Sequence, residues 1–453
     1  MTENMDCGDV NNTFDISSYA QRYTGMTKVA RLCFIADNMP ACAGGAINLT
    51  VMELRNGINT DTYCAVFEKY GSVISHNDIR MDVDWVAETN SKAQDTLEKL
   101  QSELSAVKTA GVKESIRMSY NDIGHFLLKR GQFGEATKAF VKARDYCTQT
   151  RHMCELGMSC MRVCIDAGNV RGAMGYANKI EASVDIDSVT RAMKCVVTGL
   201  CHLNDSIYNM AAEGFLAVEE VKEVFPLMSE DVATYGALCA MATLPRSAVD
   251  AKILQSSKFK KHFENAQEMR QLVQSFIGNR FGECMALFNK LEMQFCADMY
   301  LAPHVSKLRV LIVERVVQCY CQPYDTVSMQ AMAQAVGLPL AEIEKICTRL
   351  VFKKALEFRV DALRKLLYRM QGSGTGAKTG ADICSVMAVA DNHGDEMTRG
   401  ILKCSVFQYG LVVKPTEQER KQLQLNRETE GFGDGGNMTI DDNYYDSPTE
   451  EGY

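Results

Sequence analysis

The chain has 453 residues, 46% of them hydrophobic and 23% charged, which is enough for two or three domains with ordinary cores. Its eight prolines suit long helices and argue against an all-β sandwich. The net charge of −8 gives no general attraction to nucleic acid or an anionic membrane, and no apolar run approaches bilayer-spanning length.

The first fifteen residues read as a polar, disordered tail without the apolar core of a signal peptide. Eighteen cysteines are scattered through apolar helical stripes with no CxxC pair. They read as buried free thiols in a reducing compartment, so the chain is expected to be intracellular. Helical patterns begin near Ile16. Residues 41–45 form a small-residue break, and residues 71–82 a loop. Residues 83–108 are strongly helical. Asp84 is the expected N-cap, and Trp85, Ala93, Leu97, Leu100 and Leu104 lie near one stripe.

A repeat then appears. Phe133, Val170, Tyr208 and Phe281 each follow a polar or glycine-containing break and open a helical pattern. Three positions later come Ala136, Ala173, Ala211 and Cys284; seven later, Phe140, Ala177, Phe215 and Phe288. The intervals are 37, 38 and 73 residues, the last about two periods. Such periods predict stacked helical hairpins, each too thin to bury its own apolar face. In the first hairpin, Tyr120, Ile123, Gly124 and Leu127 face Ala136, Phe140 and Ala143, a tetratricopeptide-like pattern. A further unit fits residues 231–254, with its turn at 244–247.

A long helix is expected over 300–319, with a break near Pro303, ended by Gln322 and Pro323. The pattern then becomes a short helix capped by Ser328, a turn at 337–339, a helix carrying Leu340, Ile343, Ile346, Cys347 and Leu350, and two β-type runs at 355–360 and 365–368. That is the outline of a winged helix. Residues 371–380 (QGSGTGAKTG) read as a flexible linker, since the spacing is not that of a phosphate-binding loop. A last amphipathic helix is expected over 397–408, and beyond Pro415 ten acidic against three basic residues mark a disordered acidic tail.

The fold expected is therefore mainly α. A helical-repeat solenoid at 16–254 leads into a domain at 255–370, with its helical part at 255–322 and its winged helix at 323–370. The linker follows, then C-terminal helices at 381–415 and the tail at 416–453.

Several strings carry a resemblance: YAQRYTGMTKVARLCFIADNMP from Tyr19, KESIRMSYNDIGHFL from Lys113, ARDYCT from Ala143, VATYGALCAMATLPR from Val232 and DMYLAPHV from Asp298. With the order of the parts, they resemble the subunit-one family of the COP-nine signalosome, PCI-domain scaffold proteins paralogous to a proteasome lid subunit. The resemblance covers about residues 19–415. It implies a non-catalytic scaffold in the complex that deneddylates cullin–RING ubiquitin ligases, with the isopeptidase in another subunit. Implied partners are other signalosome subunits of PCI and MPN types, together with cullin–RING ligases. It also implies a ribbon interface at Leu356, Phe358, Val360, Leu366 and Tyr368, and a bundle-forming helix presenting Ile401, Leu402, Val406 and Phe407. Two departures stand out: Lys354 occupies the place of a family glycine, and Ala362-Leu363 the place of Ser-His at the wing turn.

The seven histidines include no His-x-His pair or HExxH helix for zinc. Cys147 and His152 are near in sequence with nothing to activate the thiol. No cofactor and no enzymatic activity are expected. Residues 345–369 hold eight basic against two acidic residues. Lys353, Lys354, Arg359, Arg364 and Lys365 form a candidate basic patch, read as a surface for an acidic protein partner ahead of nucleic acid. Alternative readings are a nucleic-acid-binding winged-helix regulator, or a PCI subunit of the proteasome lid or of a translation-initiation complex.

Overall fold

The computed structural model describes residues 14–76, 80–181, 187–219, 226–370, 397–398 and 421. The expected linker, acidic tail and nearly all of the C-terminal helix lie outside the described residues. The chain divides into two compact units, Met1–Arg369 and Met370–Tyr453, and the elements below belong to the first.

The N-terminal group comprises α1 (Ile16–Gln21), α2 (Gly25–Asn38), α3 (Ala43–Arg55), α4 (Thr60–Lys69) and α5 (Gly71–His76). The long α6 (Val83–Ala110) leads to the hairpins α7 (Lys113–Lys129) with α8 (Phe133–Arg144), α9 (Thr150–Asp166) with α10 (Val170–Glu181), and α11 (Ser188–Asn204) with α12 (Tyr208–Leu216). Next come α13 (Ser229–Thr243), α14 (Arg246–Val249), α15 (Gln267–Ile277), α16 (Phe281–Cys296) and α17 (Val305–Cys321). The winged helix closes this unit: β1 (Thr326–Ser328), α18 (Met329–Val336), α19 (Leu340–Phe352), β2 (Phe358–Asp361) and β3 (Leu366–Arg369).

The repeat has a backbone cause. Gly131, Gly168, Ser206 and Asn279 all have positive φ, between 58° and 79°, and each lies two residues before the residue that opens the next helix. Around each, a backbone N–H reaches five residues back: Gln132 to Leu127, Asn169 to Cys164, Ile207 to His202 and Arg280 to Ser275. This left-handed helix stop turns the chain back at a fixed angle. Side chains then set the spacing. An added Cβ at Gly124 would meet the Phe140 ring at 2.6 Å, one at Gly157 the Ile180 side chain at 2.7 Å, and one at Gly199 the Phe215 ring at 2.7 Å. In three successive hairpins a glycine on the first helix seats a large residue of the second.

The hairpins stack serially, and their apolar seams form successive clusters. One joins Leu104 through α7 and α8 to Val163; a second joins α9, α10 and α11. A third and largest cluster runs from Ala192 to Leu367 without a break at the expected domain boundary. The N-terminal helices have a separate core around Val29, Ile47, Tyr63 and Tyr70, onto which Trp85 packs with its ring centroid 4.9 Å from Tyr63.

Several local expectations are corrected. The cap of α6 is Asp82, whose carboxylate accepts the Trp85 N–H at 2.9 Å; Asp84 sits in the first turn. Residues 71–76 are helical, with Ile74 buried in the N-terminal core. The helix expected over 300–319 starts at Val305, after a 3-10 turn at Ala302–His304, because the Asp298 carboxylate takes the N–H groups of Tyr300 and Leu301. In the 231–254 unit, α14 runs directly into a π-turn at Asp250–Leu254.

Candidate partner interface on the winged helix

The three strands form an antiparallel sheet in the order β1-β3-β2, so β3 is central and β2 is an edge. The short β1 carries no sequence signal of its own. It is fixed by pairing Val327 with Leu367. Ser328 caps α18 by accepting the Ala331 N–H at 3.4 Å, as its position suggested. Pro339 is the N-cap residue of α19.

The place of the family glycine explains itself. Lys354 has φ 55°, and the Ala355 N–H reaches back to the Leu350 carbonyl, so α19 ends on the same left-handed stop as the repeat helices. A lysine here adopts the backbone that glycine favours. The first strand therefore begins at Phe358, not at Ala355. At the wing turn, the Asp361 carboxylate accepts the N–H groups of Leu363 at 3.1 Å and Arg364 at 3.0 Å, and Lys365 takes φ 59°. Side-chain capping by Asp361 shapes the turn around Ala362 and Leu363.

Pairing fixes which face each ribbon residue occupies. Phe358 opposes Arg369, and Val360 opposes Leu367. Leu356, Phe358 and Leu367 are buried, and Val360 packs against that same core. The Arg369 guanidinium lies 5.4 Å from the centre of the Phe358 ring. The side chains of Leu356 and Phe358 thus lie in this chain's own core, so of these two expected interface residues only the backbone reaches the ribbon edge; Val360 shares their face. Leu366 and Tyr368 lie on the opposite face, half-buried, with Arg359 paired beside Tyr368. Among the described residues no further strand pairs with the β2 edge.

The basic patch is smaller than its sequence count. Glu314, buried on α17, faces Arg349 at 3.4 Å and Lys353 at 3.5 Å. Lys365 pairs with Glu344 at 2.8 Å. Two of the five patch residues are thereby tied to carboxylates. Lys354, Arg359 and Arg364 remain exposed, together with Phe352 at 89% and Leu363 at 96%. Ile401, Leu402, Val406 and Phe407 lie outside the described residues.

The histidines and thiols raised by the sequence have structural settings. His304 Nδ1 is 3.2 Å from the Tyr208 hydroxyl, and His125 stands edge-on to Phe140. Cys147 donates its thiol to the Ala143 carbonyl at 3.6 Å, and burial pushes its pKa up. His152 faces Glu114 at 3.4 Å. Among the described residues no group of three His, Cys, Asp or Glu side chains could hold a metal, and no helix is long and apolar enough to cross a membrane.

A feature that sequence reading missed lies where the N-terminal helices meet α13 and the segment after α16. Arg31 on α2 is fully buried between two carboxylates, Asp231 on α13 at 3.2 Å and Asp298 after α16. The same guanidinium donates to the Tyr19 hydroxyl at 2.9 Å. The Tyr23 hydroxyl donates to Asp231 at 2.8 Å, and the Tyr235 hydroxyl to Asp298. Burial outweighs Arg31 and pushes the Asp231 carboxyl up, with Asp298 adding to the rise. Arg31 is itself held charged, its burial offset by the two aspartates. Three of the strings that carried the family resemblance contribute to this cluster or adjoin it.

A repeat arm whose core continues into a winged helix with a partly open sheet is the architecture of a PCI-type scaffold. The comparisons agree. Residues 82–252 match the family model described as 26S proteasome subunit RPN7, and residues 288–369 match the PCI domain. The chain is 32% identical over 366 residues to COP9 signalosome complex subunit 1 of Arabidopsis thaliana, covering 78% of this chain and 82% of that one. It is 26% identical to subunit 1b of Drosophila melanogaster, covering 79% of each, and 25% identical to subunit 1 of Emericella nidulans, covering 94% and 88%. The chain belongs to the COP9 signalosome subunit 1 family.

Proposed function

We propose that this chain is a non-catalytic scaffold subunit of a COP9 signalosome, the assembly that deneddylates cullin–RING ligases, and that it works in cytoplasm and nucleus. The observation that carries the reading is the winged helix. Its β2 edge is unpaired among the described residues, and its Leu366–Tyr368 face is half-open at the end of a core continuous with the arm. Strand addition there supplies main-chain hydrogen bonds, and the outer face supplies side-chain selectivity. The partners are other subunits of the complex; cullin–RING ligases are reached through the assembled particle. The non-catalytic reading is supported by the Cys147 thiol, which burial keeps protonated, and by His304, which is engaged with Tyr208.

The test is the double substitution Arg359→Glu/Tyr368→Asp. It changes the outer face without entering the core. Co-purification with the other subunits should fall at least tenfold while the thermal midpoint of the isolated chain stays within about 2 °C, as for surface substitutions. Unchanged co-purification would remove the wing from the interface.

A further inference from the structure

We propose that the junction between the repeat arm and the PCI module is a docking site for the chain's own N-terminal helices, which close onto it as a separable latch with Arg31 as its key. The latch has its own core, built from α2, α3, α4 and α5 with Trp85 and Val86 of α6. Its apolar contact with the junction is thin: in the cluster of Ala20, Leu32, Ile35, Ala46 and Ala297, only Ala297 comes from the far side. The polar contact is dense. Arg31 joins both aspartates, the Tyr23 hydroxyl meets Asp231, and Arg22 meets Glu230 at 2.8 Å.

An interface of this composition behaves differently from a hydrophobic seam. A buried pair adds little over an apolar equivalent, yet removing one member leaves an uncompensated charge in a low-dielectric site. Without Arg31, Asp231 and Asp298 would face each other with backbone N–H groups and tyrosine hydroxyls but without the guanidinium's counter-charge. The latch should then release, while the hairpins α7 to α12 keep seams that do not involve it.

Hydrogen exchange on the full chain tests this. In Arg31→Met, amide protection in α1–α3 should fall at least tenfold, with α7–α12 unchanged within twofold. The triple variant Arg31→Met/Asp231→Asn/Asp298→Asn removes the stranded charges and keeps hydrogen-bonding side chains; protection in α1–α3 should return to within threefold of the parent. Unaltered protection in Arg31→Met would overturn the proposal, since the charge would not be holding the latch. Loss spread through α7–α12 would overturn it too, since the N-terminal helices would not be separable. Failure of the triple variant to recover would show that packing around Arg31, not charge, governs closure.

Discussion

Among the described residues, four side chains without glycine's freedom occupy left-handed backbone: Ser206, Asn279, Lys354 and Lys365. Such residues are strained relative to glycine, and asparagine is the best tolerated of them. Ser206→Gly and Lys354→Gly should each raise stability by about 0.5–1 kcal/mol, read as a higher urea midpoint with an unchanged slope. Asn279→Gly should gain less. Gly131 and Gly168 announce their turns in the sequence, whereas Ser206 and Asn279 look like ordinary polar residues. The register of the repeat was therefore legible through the helices that open after each turn, and its backbone cause was not.

Between elements, size matching decides whether two helices can approach. Gly199 faces the Phe215 ring and also lies against Gly214, so Gly199→Ala forces the ring or the α11–α12 spacing to shift. Overpacking costs about 1–3 kcal/mol, against a helix-propensity gain of about 1 kcal/mol, so net destabilisation is expected. Gly175 on α10 has open space at its Cβ position, and Gly175→Ala should instead stabilise by about 1 kcal/mol. Thermal unfolding of the two variants side by side checks the opposite signs. The 3-4 spacing of Gly124, Phe140 and their counterparts made these hairpins readable. The ribbon was harder: Leu366, Leu367 and Tyr368 are apolar on both faces, so alternation could not say which one looks outward. Only the pairing with β1 and β2 settles that Leu367 points inward.

At the scale of the whole chain, the thiols report on integrity. Burial pushes Cys160, Cys239, Cys284, Cys321 and Cys347 up to about 12, and these positions span the arm, the junction and the winged helix. The thiolate is the reactive form, so all five should resist iodoacetamide in native protein at pH 7.5 and react together once it is unfolded in urea. Modification of Cys347 ahead of Cys160 would mark the winged helix as opening independently of the arm. The Arg31 cluster illustrates what a linear reading could not reach. Its strings were recognised one at a time, but nothing in their composition says that they meet.

The separation of those partners also sets an order of events during synthesis. Arg31 is followed by Asp231 only 200 residues later and by Asp298 only 267 residues later. A growing polypeptide leaves the ribosome with this cation lacking its full pair of counter-ions for more than half of its translation. The first helices are made early and fastened late, and a nascent chain halted before Asp298 carries an open amino-terminal end.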